Sequence, residues 1–203
     1  MGHVAFNKNK FTLEYIPHRL AALELCVTAC DAVLCRGPRS DPFELKLGLI
    51  TLEGSKFDPV VGMMLDSGLM AIRSILNFLG IKLDNGQLIN QSYALTIERY
   101  NLPLVPLQTA LSVLSPDIDE NTLSEIWVEA LTTASKATAH FTESGGAILV
   151  NRLAYAAYAT SLALRKHFFQ ATNTLEPTCL IPEFCIPDYS PNPNVNSRSQ
   201  HIQ

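Results

Sequence analysis

The sequence predicts an all-α protein, a helical bundle of four long helices with shorter connecting helices, and three observations carry that reading. Apolar residues recur at three- and four-residue steps through four long stretches. Glycine and proline punctuate those stretches near their ends. No segment alternates apolar and polar residues convincingly, as a half-buried strand does. Long helices joined by Gly/Pro breaks favour a bundle over a sheet-containing fold.

The first helix is expected to begin near Pro17, whose missing N–H suits an opening turn, and to bury Leu20, Leu23, Val27, Cys30 and Leu34. Arg36-Gly37-Pro38-Arg39 stops it. A short helix or irregular segment is expected over 42–52, with Asp41 and Glu44 placed as capping residues. The second long helix starts at Asp58-Pro59 and ends at Leu79, before Gly80. Residues 81–86 read as a turn, 87–100 as a shorter helix, and 107–114 as one or two helical turns. Asp119 or Asn121 caps a third long helix that runs to Phe141, with Glu120 and Glu125 near its positive end. Leu123, Trp127, Ala130, Ala134, Ala137 and Phe141 mark its buried stripe. The last helix, 147–170, follows Ser144-Gly145-Gly146 and is apolar nearly all round between Leu153 and Leu164, which predicts a central position. The bundle domain spans 1–172, and a Pro-rich tail spans 173–203.

Composition narrows the function classes. Apolar residues make up 47% of the chain and charged residues 17%, against an average of roughly 25% charged. Sparse charge leaves less polar surface to cover the outside, and a buried oligomer interface is one resolution. A net charge of −4 exerts no long-range pull on nucleic acid, whose binding depends on Lys and Arg neutralising phosphates. Met1 to Lys10 lacks the apolar core of a signal peptide. The most apolar window, Val60 to Ile81, is interrupted by Asp66, Arg73 and Asn77, so a membrane span is not expected and the cytoplasm is. Five cysteines with no C-x-x-C read as free buried thiols, and no metal or cofactor is implied.

The polar line within the second long helix carries the most information. Asp66, Arg73 and Asn77 are spaced by seven and four residues. At 100° per residue they fall within roughly 40° of one another and share one stripe. That stripe is either a solvent face, an interface salt bridge, or an Arg held in a cleft to bind an anion bidentately with Asp66 and Asn77 beside it. His140 follows Lys136 by one turn and sits at the boundary of core and solvent. A histidine there either hydrogen-bonds a neighbour or serves as general acid or base. Arg165-Lys166-His167 lies in the last turns, where cations complement the helix dipole. Met63, Met64, Met70 and Phe78 could line a small apolar ligand site, although methionine at helical spacing usually fills a core. Phosphate loops, dinucleotide fingerprints, H-E-x-x-H and G-x-S-x-G are absent from the sequence.

Leu69-Met70-Ala71-Ile72-Arg73-Ser74-Ile75-Leu76-Asn77-Phe78-Leu79 and Ala137-Thr138-Ala139-His140-Phe141-Thr142 resemble segments of uncharacterised bacterial helical-bundle proteins of the HEPN type. The resemblance implies a dimerising bundle and, in active members, metal-independent RNA cleavage by an Arg and a His four to six residues apart on one helix. This chain departs from that motif: three residues separate Lys136 from His140, and no Arg precedes His140 at the required spacing. Two functions are therefore expected. The first is self-association or protein binding, with a homo-oligomer or protein partner. The alternative is a HEPN-like ribonuclease or toxin in which His140 is the acid/base and Arg73 and Lys136 stabilise charge on the phosphate.

Overall fold

In the computed structural model, which describes residues 6–36, 43–47, 50–54, 58–92, 95–139 and 148–179, helix begins at Lys8 rather than Pro17. Asn7 opens it, its Oδ1 accepting from the Lys10 amide at 3.0 Å. α1 (Lys8–Lys10) passes through a π-helical turn, Phe11–Tyr15, into α2 (Ile16–Arg36). Pro17 accounts for the wide turn. Proline offers no N–H to the carbonyl four residues back, and its ring crowds that carbonyl. A turn closed by the Ile16 amide on the Phe11 carbonyl relieves both. α2 buries Leu20, Leu23, Val27 and Cys30, whereas Leu34 is 44% exposed and outside the core.

Two antiparallel hairpins correct the sheet-free expectation. β1 (Phe43–Leu47) pairs with β2 (Ile50–Gly54), Phe43 opposite Gly54. Glu44 is thus a strand residue rather than part of a helix cap, and the segment expected as helical or irregular is extended. The physical cue is local: Phe43, Leu45 and Leu47 alternate with Glu44 and Lys46, the two-residue period of a strand. The second hairpin follows α3 (Asp58–Leu79) directly. β3 (Ile81–Asp84) pairs with β4 (Gln87–Asn90) across Asn85 and Gly86, whose φ values are 48° and 80°. Positive φ at both central residues is the requirement of a tight hairpin turn, which Asn-Gly satisfies. The helix expected over 87–100 is replaced by β4 and a single 3₁₀ turn, Ile97–Tyr100.

Gly80 makes this reversal possible. Its φ is +87°, the left-handed conformation that closes helices, and a Cβ there would lie 2.6 Å from Leu104 Cδ2. Asn90 then locks the hairpin to the helix end. Its amide donates to the Gly80 and Val105 carbonyls at 3.2 and 2.8 Å, and its Oδ1 accepts from Leu107 N at 2.8 Å. α4 (Leu107–Leu111) starts at that bond. α5 (Glu120–Ala139) is capped by Asp119, which accepts from the Thr122 amide and hydroxyl. Those bonds hold the Asp119 carboxyl below the usual value. α6 (Val150–Leu164) continues into a π-helical turn, Arg165–Gln170.

The protein is mostly helical, with α2, α3, α5 and α6 enclosing one core. α6 packs on the other three and is buried continuously from Leu153 to Ala157. Trp127, fully buried, donates from α5 to the Ala156 carbonyl. Among the described residues one stretch, Val60–Leu79, is long and apolar enough to cross a membrane by length and composition. Here its Leu69, Ile72, Ile75 and Leu76 belong to the protein core.

Arg165 turns inward instead of fraying toward solvent beside a helix dipole. It ion-pairs with Glu24 of α2 and with Glu176, and it donates to the Pro177 carbonyl at 3.0 Å. Burial disfavours its charge, but the bonds to Glu24 and Glu176 outweigh that and keep the guanidinium protonated. Glu24 is 1% exposed, so it requires this partner. Residues 173–179 are thereby pinned to the helices; the remainder of the tail, 180–203, lies outside the described residues.

α2 and α3 approach closely at Gly68. A Cβ there would stand 2.3 Å from both Cβ and Sγ of Cys26 on α2, so side-chain rotation alone does not make room. Gly68→Ala is expected to destabilise the protein by about 2 kcal/mol or more through overpacking, as measured by urea denaturation. A second expectation concerns pH. His167 Nε2 is buried without a hydrogen-bond partner among the described residues, and burial, aided by Lys166, depresses its pKa. The unfolded chain, titrating near about 6.5, then binds protons that the folded state refuses. The neutral imidazole's contribution is complete above that value and is lost as pH falls through the lower native value. His167→Gln should therefore flatten the stability profile from about pH 7 to 5, measured by thermal unfolding across that range.

Candidate functional site

The turn at Gly80 folds β3 back over the helix from which it emerges, and this decides what becomes of the polar stripe on α3. Asp66 is exposed, two turns before the covered part. Arg73 and Asn77 are half-buried. They line a cleft of about 190 Å³ together with Lys82 and Leu83 of β3 and Leu131 and Ser135 of α5. The stripe is thus a solvent face at its start and one wall of a cavity at its end. Lys82 reaches Gln91 Oε1 at 3.1 Å, and the Ser135 hydroxyl donates to the Leu131 carbonyl at 2.8 Å.

Of the residues singled out by sequence, the fold brings Arg73 and Asn77 together and leaves Asp66 outside. Lys136, the residue after Ser135, is exposed on α5. His140 lies outside the described residues. Lys82 and Ser135 were not foreseen. The signal for Lys82 was present, since Ile81-Lys82-Leu83-Asp84 ahead of Asn85-Gly86 is a hairpin arm by pattern. Two cations on a polar cavity can bind an oxyanion through charge-assisted hydrogen bonds.

A second cleft, of about 290 Å³, lies where the π-helical turn meets the C-terminal half of α3. Phe11, Tyr15 and Ile16 form one wall and Ile75 and Phe78 the other, with Arg19 and Ser74 at the polar edge. Behind it the aromatic rings stack edge to face. Phe78 meets Tyr100 at 5.9 Å, and Tyr100 meets Phe168 at 4.8 Å between centroids. Tyr100 is further held by Thr12, oxygen to oxygen at 3.0 Å. Beside the cleft, apolar side chains stay in water: Tyr15 is 49% and Phe6 39% exposed. The methionine-lined ligand site does not form in either cleft. Met63 is exposed, Met64 and Met70 are half-buried, and of the four Phe78 alone lines one of these two clefts.

Cys26 and Cys30 are buried free thiols. The hydrogen bond with Cys26, then burial, pushes the Cys30 thiol well up, so it stays protonated and unreactive. Cys179 is exposed, contrary to a uniformly buried set. No three His, Cys, Asp or Glu residues cluster as metal ligands among the described residues. No protein-family model, curated protein or solved structure matches this chain.

Proposed function

We propose that the protein works by association, pairing with a second copy of itself or with another protein through the apolar cleft at the start of α2. The framework is read as a bundle of four long helices, with the hairpins as additions to it. One observation carries the proposal: an open cleft walled by Phe11, Tyr15, Ile16, Ile75 and Phe78 sits beside the exposed Phe6, which packs on Phe11. Apolar side chains clustered around a cleft are the composition of an interface core. The self-complementary arrangement of a two-fold dimer would cover this surface on both copies at once. Free thiols at Cys26 and Cys30 agree with a cytoplasmic setting. Light scattering at micromolar concentration is expected to give a dimer mass. Phe6→Lys with Tyr15→Lys, both at exposed positions, should yield monomers with an unchanged circular dichroism spectrum. A wild-type monomer with no change in these variants overturns the self-association form.

A ribonuclease is the second reading, and a narrower observation favours it. Arg73 and Ser135 line the same cleft, which sets the guanidinium beside the helix that carries Lys136 and leads toward His140. Cleavage requires the Arg73 and His140 head groups within roughly 6–8 Å of each other. Toxicity on expression, relieved by His140→Ala and by Arg73→Gln, is the expected outcome; equal growth of all three strains removes this reading.

A further inference from the structure

We propose that the apolar cleft between the N-terminal π-helical turn and α3 binds a small aryl-alkanoate, one aromatic ring on a short chain that ends in a carboxylate held by Arg19. The inference goes beyond association and needs no partner, since a second copy across the mouth covers this volume without filling it.

Apolar walls and charge come from different residues of the same cleft. Ile16, Ile75 and Phe78 are buried and give it inner walls with no polar side-chain group. Phe11 lies 5.5 Å from Tyr15 and 6.2 Å from Phe78 between ring centroids, inclined to them at 59° and 39°. Rings tilted in this way offer both faces and edges to a further ring, the arrangement in which aromatic pairs attract.

Arg19 is half-buried at the polar edge. Among the described residues it makes no hydrogen bond or ion pair. Its guanidinium is always charged, and its planar fork of donors matches the two oxygens of a carboxylate. The described residues that line the cleft include no carboxylate to take that place. Beside the mouth Lys10 stands over the Tyr15 ring at 5.5 Å, and Glu14, 4.0 Å away, offsets its charge. The Ser74 hydroxyl donates to the Met70 carbonyl at 2.8 Å, so its proton is spent within the helix. One anionic group is therefore matched. A cation, which aromatic walls alone would attract, meets the charge of Arg19 instead.

Size sets the length of the ligand. The cleft holds about 290 Å³, at the lower edge of the roughly 300–1,000 Å³ of small-molecule sites. Benzene occupies an apolar cavity of about 150 Å³. One ring thus takes about half the space and leaves room for a chain of two or three carbons. A long acyl chain would leave most of its length in water.

The test is titration of the full chain with 3-phenylpropionate at constant ionic strength, followed by calorimetry and thermal unfolding. Saturable binding is expected, with Kd below about 1 mM. Arg19→Gln should weaken it by about tenfold or more, the scale of a charge-assisted hydrogen bond. Lys166→Gln, at an exposed position away from the cleft, should bind as wild type. On the wild-type chain, 3-phenylpropanol should bind about tenfold more weakly than the acid, 3-phenylpropylamine more weakly still, and propionate should not saturate. If Arg19→Gln does not fold, this ligand series decides. No saturation by about 20 mM 3-phenylpropionate, binding by Arg19→Gln equal to wild type, or an amine that binds as tightly as the acid overturns the proposal. Light scattering on the same samples separates it from the association reading. A monomer that binds 3-phenylpropionate upholds the ligand site without association, and a dimer that does not bind it overturns the ligand site alone.

Discussion

The close approach of α2 and α3 at Gly68 governs the rest of the arrangement. With no side chain at position 68, α3 lies directly against Cys26, and that contact fixes the rotation of α3 about its axis. Leu65, Leu69, Ile72 and Leu76 then face the core. Arg73 and Asn77 are carried to the side where β3 and α5 close over them. Ile75 and Phe78 meet the π-helical turn at the N-terminal cleft. One glycine on one helix thus places both clefts, because a helix presents its faces in a fixed angular order.

Both clefts also depend on interruptions of regular helix. Pro17 widens the turn ahead of it, and that turn carries Phe11 and Tyr15 into the apolar cleft. Gly80 reverses the chain so that Lys82 returns over Arg73. At the end of α6 a third irregular turn begins at Arg165, which joins α2 to the segment after α6 through Glu24 and Glu176. A buried carboxylate left alone in this position would be costly, while a well-bonded ion group offsets most of its own desolvation. Its contribution is therefore one of arrangement more than of net stability: it specifies which turn of α6 meets which turn of α2.

The two surfaces differ in kind. The N-terminal cleft is apolar, open and flanked by exposed Phe6 and Tyr15, so its free energy of occupation would come from removing apolar area from water. The cleft at Arg73 is smaller and lined mainly by polar side chains, and its occupation would depend on hydrogen-bond geometry. α3 supplies residues to both. Ser74 and Ile75 line one and Arg73 lines the other, so occupation of one cleft bears on the helix that forms the other.

The helices were legible in the sequence because their apolar stripes repeat over many turns. α3 ends where Gly80 predicts, α6 is central as its all-round apolar character requires, and the shared stripe of Arg73 and Asn77 follows from spacing alone. The hairpins were not legible as sheet. Four- and five-residue strands offer two alternations at most, and the Asn85-Gly86 turn was read as a turn without the arms it joins. Glu24 and Arg165 were equally opaque, since a charged residue discloses no burial until its partner, 141 positions away, is brought beside it. Local periodicity determined where helix forms and which residues share a face. Only the tertiary structure decided which faces meet, because the Gly68 contact, the Gly80 reversal and the Arg165 ion group join residues that no local pattern connects.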